Sequence, residues 1–137
     1  MKPWFVAIPW MLIIPTMGGI RWYELRRTSG NWWVYCESTY APDANSRFMP
    51  SIAMNGQGDM ALGYSVASSS VYPSIRYTGR KVSDPLNTMA IPEGEIVKGY
   101  YSQTGIDRWG DYSCMSVDPS DDTHFGIPMN MLAIQDG

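Results

Sequence analysis

Asp118, Asp121 and Asp122 stand within one five-residue window, with Asp111 a little upstream. Carboxylates set this close together are hard oxygen ligands of the kind that suits Ca²⁺. The window lacks the D-x-D-x-D-G spacing of an EF-hand, and Asp-Pro-Ser-Asp-Asp also reads as a β-turn whose aspartates cap their own backbone, so both readings stand. Upstream, GYSVA from Gly63 comes near the G-x-S-x-G nucleophile elbow, with Ser65 as nucleophile and His124, the single histidine, as its base. That elbow needs a turn from strand into helix, whereas the residues around Ser65 alternate as a strand does, so a serine hydrolase is not expected. Trp22, Trp32, Trp33, Tyr35 and Tyr64 offer flat faces on which sugar rings can stack, although aromatic strand residues serve equally as core.

The elements that must position these groups follow from composition and pattern. The 137 residues suit one ordinary domain, and 13 acidic against 10 basic side chains leave a formal charge of −3. With three lysines and no basic run there is no cationic face to neutralise phosphates, which excludes a nucleic-acid partner. One histidine and two distant cysteines exclude a zinc finger and leave the redox compartment open. Charged residues are sparse at 17%, aromatics reach 13%, and 13 glycines and 10 prolines favour short strands and turns over helices. Apolar–polar alternation predicts strands at 20–26, 32–37, 47–54, 60–66, 71–77, 96–101 and 112–117. Turn signals separate them at Thr28, Ala41, Asn55, Gly79 and Asp118, which makes the chain antiparallel and all-β.

An internal repeat refines this. Ser51-Ile-Ala-Met-Asn55 aligns with Cys114-Met-Ser-Val-Asp118 at an offset of 63, each preceded by an arginine–aromatic pair, and Gly19-Ile-Arg-Trp22 echoes Ser74-Ile-Arg-Tyr77. Repeats of this length, each a four-stranded meander with two faces to bury, are what β-propeller blades look like in sequence. In that register the chain holds the last strands of one blade, a whole blade over about 46–101, and the start of a third from 107, too little to close a ring.

The strings GIRWYELR from Gly19, TYAPDAN from Thr39, SIAM from Ser51, ALGYSV from Ala61, YPSIRYTGR from Tyr72 and RWGDYS from Arg108 closely resemble a family of large, exported bacterial proteins with a sialidase-type (BNR-like) propeller. The resemblance covers residues 18–125 and implies an incomplete propeller fragment. It places Arg108, Asp111 and Tyr112 on an innermost strand lining the central channel. In sialidase-like enzymes arginines hold a substrate carboxylate, a tyrosine is the nucleophile and an aspartate the acid. Arg47, Arg76, Arg108, Tyr112 and Asp111 supply those types, the alternative being arginines paired with carboxylates inside the fold. Ser116-Val-Asp118-Pro-Ser120 resembles only the front of the family's Asp-box S-x-D-x-G-x-T-W.

The resemblance stops at both ends. A DNA stretch that encodes the family's WYTNEY can encode residues 126–131 in its next reading frame, and one that encodes residues 1–17 can give the family's upstream strand in another, so 1–17 and 126–137 are expected to be out-of-frame segments flanking the blade region 18–125. The apolar start does not read as a signal peptide, because three prolines interrupt it and no A-x-A site follows, and it is too short to span a bilayer. Three functions follow as expectations: a structural fragment of an exported propeller; a Ca²⁺-dependent hydrolase of glycosides, lactones or esters, with Asp118, Asp121 and Asp122 as ligands; and a carbohydrate-binding surface. The expected partners are a small-molecule or carbohydrate substrate, with no membrane span, and open strand edges favour self-association.

Overall fold

The computed structural model describes the backbone of residues 4–14 and the whole of residues 17–102, 104 and 113–127. Among these residues every regular element is a strand and none is a helix. β1 (Trp4–Ile14), β2 (Met17–Arg27) and β3 (Trp33–Tyr40) form a three-stranded antiparallel sheet in that order. β4 (Ser46–Met54), β5 (Met60–Ala67), β6 (Ser74–Arg80) and β7 (Ile91–Val97) form a four-stranded antiparallel meander, and β8 (Ser116–Val117) with β9 (Phe125–Gly126) makes a short hairpin. β1 pairs with β2 along its whole length, from Trp4 opposite Arg27 to Ile14 opposite Met17. Pro9, which has no N–H to donate, thus sits on an edge strand, where its lack is tolerated.

The meander spans 46–97, close to the 46–101 expected for one repeat. Two of its strands are displaced from their predicted places. The strand expected at 71–77 runs from Ser74 to Arg80, because Ser68 N–H bonds the Val71 carbonyl in a turn and Pro73 has no N–H to enter the ladder. The strand expected at 96–101 runs instead from Ile91 to Val97, with its alternation broken by two register shifts against β6.

Sheet stacking follows from β5, which is buried on both faces. Met60, Leu62, Tyr64 and Val66 face one way, and the first three join Ile20 and Trp22 of β2 and Cys36 of β3 in one apolar core. Gly63 faces the other way, where a Cβ would meet the side-chain ends of Met115 and Ile127. The four-stranded sheet is thus the middle layer, with the three-stranded sheet on one side and the β8–β9 hairpin on the other.

The two copies of the 63-residue repeat carry similar turns. Asn55 Oδ1 accepts the N–H groups of Gln57 at 3.0 Å and Asp59 at 2.9 Å just after β4. Asp118 Oδ1 accepts the Ser120 N–H at 2.8 Å just after β8. Each is an Asx-type turn opening a hairpin at the equivalent place. At the second echo, Arg21 of β2 pairs with Glu37 of β3, diagonally across the ladder, and Arg76 of β6 with the directly opposite Glu95 of β7. Cys36 is a buried free thiol and Cys114 an exposed one.

Candidate functional site

The densest polar cluster gathers on the side of the four-stranded sheet that faces the first sheet. Arg47, near the start of β4, is completely buried. Its Nε and Nη2 donate to Glu93 Oε1 and Oε2 at 2.9 and 3.1 Å, and its Nη1 and Nη2 donate to Asp43 Oδ1 and Oδ2 at 2.7 and 3.1 Å. A further Nη1 bond reaches the Asn45 carbonyl at 2.9 Å. A guanidinium has five N–H donors, and all of them are engaged. Glu93 is equally saturated, because Oε1 also accepts the Tyr64 hydroxyl at 2.6 Å and Oε2 accepts Arg76 Nη1 at 3.0 Å. Arg76 Nε lies 3.8 Å from Glu95 Oε2, while the rings of Tyr40 and Tyr64 stand 5.7 and 5.9 Å from the Arg47 guanidinium.

The local sequence explains the arrangement. Arg76 opposes Tyr64 across the β5–β6 ladder and Glu95 opposes Arg76 across β6–β7, so these three side chains share a face. Asp43 arrives from the β3–β4 loop, where its Oδ1 also caps the Asn45 N–H at 2.8 Å. The Arg47 hydrogen bonds hold the Asp43 carboxyl far below its usual range. Burial, and then the hydrogen bond to Glu93, push the Tyr64 hydroxyl well above its ordinary value, so it remains a donor. Burial works against the charge on Arg47, but Asp43 and Glu93 outweigh it and the guanidinium stays protonated.

The structure therefore brings Arg47 and Arg76 onto a single carboxylate, and that carboxylate is the chain's own Glu93. Arg108, Asp111 and Tyr112 lie outside the described residues. Ser65 is buried within β5, which continues as a strand to Ala67, so the strand-to-helix elbow is not formed there.

Asp118, Asp121 and Asp122 sit together in the β8–β9 turn, each with its own task. Asp118 N–H bonds the His124 carbonyl at 2.8 Å, and Asp118 Oδ1 caps Ser120. Asp121 Oδ1 accepts the N–H groups of Thr123 at 2.9 Å and His124 at 3.2 Å, while Oδ2 meets the His124 ring at Nδ1. These bonds lower the Asp121 carboxyl, led by the Thr123 N–H, and Asp121 in turn raises His124. Asp122 takes a left-handed φ of 55°, and its carboxylate lies over Gly56, where any Cβ would collide with it. The carboxylates of Asp118 and Asp121 behave as turn caps, and among the described residues no group of three or more His, Cys, Asp or Glu side chains converges to hold a metal ion.

Sequence reasoning passed over a second buried ionic group. Glu24 of β2, fully buried, accepts Arg26 Nε at 2.7 Å and faces Arg80 Nη1 of β6 at 3.7 Å, tying the two large sheets together. A signal existed, since Glu24 has the same strand parity as Ile20 and Trp22 and so had to enter the core. Arg26 also stacks 3.3 Å from the Tyr35 ring, which Trp33 meets edge-on at 5.6 Å, and Arg27 lies 5.3 Å from the ring of Trp32. Trp32 and Trp33 are 42% and 48% exposed, whereas Trp22 and Tyr64 are core.

On the opposite face of the four-stranded sheet a cleft of about 540 Å³ opens between β6–β7 and the β8–β9 hairpin. Tyr77, Ile91 and Ile96 line one side and Met115, Phe125 and Ile127 the other, with Lys81 and His124 also on its wall. No helix among the described residues is long and apolar enough to cross a membrane. Comparison with protein-family models, with curated proteins and with solved structures finds no match.

Proposed function

We propose that this chain is a blade-bearing segment of an exported, sialidase-like β-propeller, and that the described part acts as scaffold and binding surface, with no hydrolytic activity of its own. The observation that carries the functional half is the closed Arg47–Glu93 cluster: the pair of arginines suited to gripping a substrate carboxylate already grips Glu93, with every Arg47 donor engaged. The propeller half is supported by three sheets stacked face to face in chain order, by the similar turns at Asn55 and Asp118, and by the Arg21–Glu37 and Arg76–Glu95 pairs.

The test is hydrolysis of aryl glycosides, including an aryl sialoside, and of a lactone, each with added Ca²⁺ and with EDTA. No turnover by the purified chain is expected under either condition. Turnover that EDTA abolishes and that Asp118→Ala or Asp121→Ala reduces would replace this reading with the Ca²⁺-dependent hydrolase.

Carbohydrate binding is favoured by one specific feature, the exposed Trp32 and Trp33 beside Arg27 at the tip of the β2–β3 hairpin. Aromatic planes flanked by a guanidinium group suit a pyranose ring with an acidic substituent. Saturable quenching of tryptophan fluorescence by an acidic polysaccharide, lost in Trp33→Ala, is the result this surface predicts.

A further inference from the structure

We propose that the β6–β7 loop, residues 81–90, is a strap that swings away from the first sheet while both large sheets stay folded, and that Asn87 is the latch holding it closed over the Cys36 thiol. The loop leaves β6 after Arg80 and enters β7 at Ile91. Its own bonds give it a fixed shape. The Lys81 N–H donates to Asp84 Oδ2 at 2.7 Å, the Asp84 N–H to the Lys81 carbonyl at 3.0 Å, and the Thr88 hydroxyl to the Pro85 carbonyl at 2.6 Å. Its root is tied to the four-stranded sheet, where Asp59 Oδ1 accepts the Val82 N–H at 2.8 Å and Arg80 Nη2 donates to the Asp84 carbonyl at 3.0 Å. Val82 and Leu86 are exposed, so their apolar side chains do little to hold the strap down.

The hold on the first sheet is concentrated at one residue. Asn87 Oδ1 accepts the Glu37 N–H at 2.9 Å, and the Asn87 N–H donates to Cys36 Sγ at 3.0 Å. Met89 adds an apolar contact with the core cluster. Asn87 takes a left-handed φ of 64°, which asparagine tolerates better than most residues. Two hydrogen bonds and one partly buried side chain are far less than what holds the sheets together, so local opening of the strap costs less than global unfolding. β3 is an edge strand, and Cys36 beneath the latch is buried. Opening therefore uncovers two groups at once, a thiol and a strand N–H, and closure shields both.

The thiol reports the opening. Cys114→Ser removes the exposed cysteine and leaves Cys36 to react with dithionitrobenzoate, its thiolate displacing one coloured aryl thiolate from the reagent. In the full chain with that substitution, the Cys36 rate is expected to be nearly independent of urea well below the unfolding midpoint, the mark of a local opening. Asn87→Gly keeps the left-handed backbone but removes the acceptor, and should speed the reaction about tenfold with little change in the midpoint. Asn87→Asp restores an acceptor oxygen and should react within about threefold of the parent. A rate that follows global unfolding at every urea concentration would overturn the proposal. So would an Asn87→Gly variant that reacts like the parent, an Asn87→Asp variant as fast as Asn87→Gly, or an acceleration no larger than the fall in global stability explains.

Discussion

Removing the Arg47 guanidinium leaves the carboxylates of Glu93 and Asp43 without their shared counter-charge, with Glu93 mostly buried. Breaking a buried ion pair from one side costs about 3–5 kcal/mol, so Arg47→Ala should lower the urea midpoint by that equivalent, and a loss below about 1 kcal/mol would show that the cluster contributes nothing to stability. Glu93→Gln keeps the shape and one acceptor oxygen and should cost less. The cluster also carries a pH signature. Asp43 binds its proton less readily folded than unfolded, since Arg47 holds it down. Its contribution is complete above the unfolded value of about 3.9 and drains away as pH falls through the depressed folded value. Denaturant titrations of the parent and Asp43→Asn should therefore differ at pH 7 and converge in strong acid. Arg47 and Arg76 were visible in the sequence by residue type, but their engagement was not: Glu93 lies 46 residues beyond Arg47, and no local pattern announces a partner at that distance.

At the scale of elements, legibility depended on whether apolar alternation alone drove a strand's burial. β4 and β5 emerged almost at their predicted bounds, because Leu62, Tyr64 and Val66 alternate into the core without a break. β6 slipped because its end is buried by charge: Arg80 enters the core through Glu24, and a hydrophobic pattern cannot register that. β7 was misplaced because it is an edge strand protected by Pro92, Glu93 and Glu95 and by two bulges, devices that discourage edge pairing and also erase the alternation used to find strands. The ladder leads to a contrast between two glycines. A Cβ at Gly79 would stand 2.5 Å from the Met60 carbonyl oxygen, which belongs to the backbone, whereas at Gly63 it meets only the flexible ends of Ile127 and Met115. Gly79→Ala should therefore destabilise by about 1–3 kcal/mol and Gly63→Ala by clearly less, measured by urea denaturation. Equal costs would mean that the β5–β6 ladder can open locally.

Considered whole, the molecule has a middle sheet that supplies core to both neighbours, which makes the large sheets interdependent. Trp22 of β2 and Leu62 of β5 are both fully buried and belong to the same core cluster. Neither sheet can bury its apolar face alone, and the Arg26–Glu24–Arg80 series crosses the same interface. Trp22→Ala should cost about 3–5 kcal/mol and Leu62→Ala about 2–5 kcal/mol. If the sheets form one cooperative unit, the double variant should depart from the sum by about 0.5–3 kcal/mol, because each truncation relaxes the cavity left by the other, and fluorescence and circular dichroism should report a single coincident transition. Strict additivity, or two separated transitions, would show instead that each sheet holds its own structure. That outcome would also remove the stacking on which the propeller reading depends, since blades are stabilised by the neighbours they pack against.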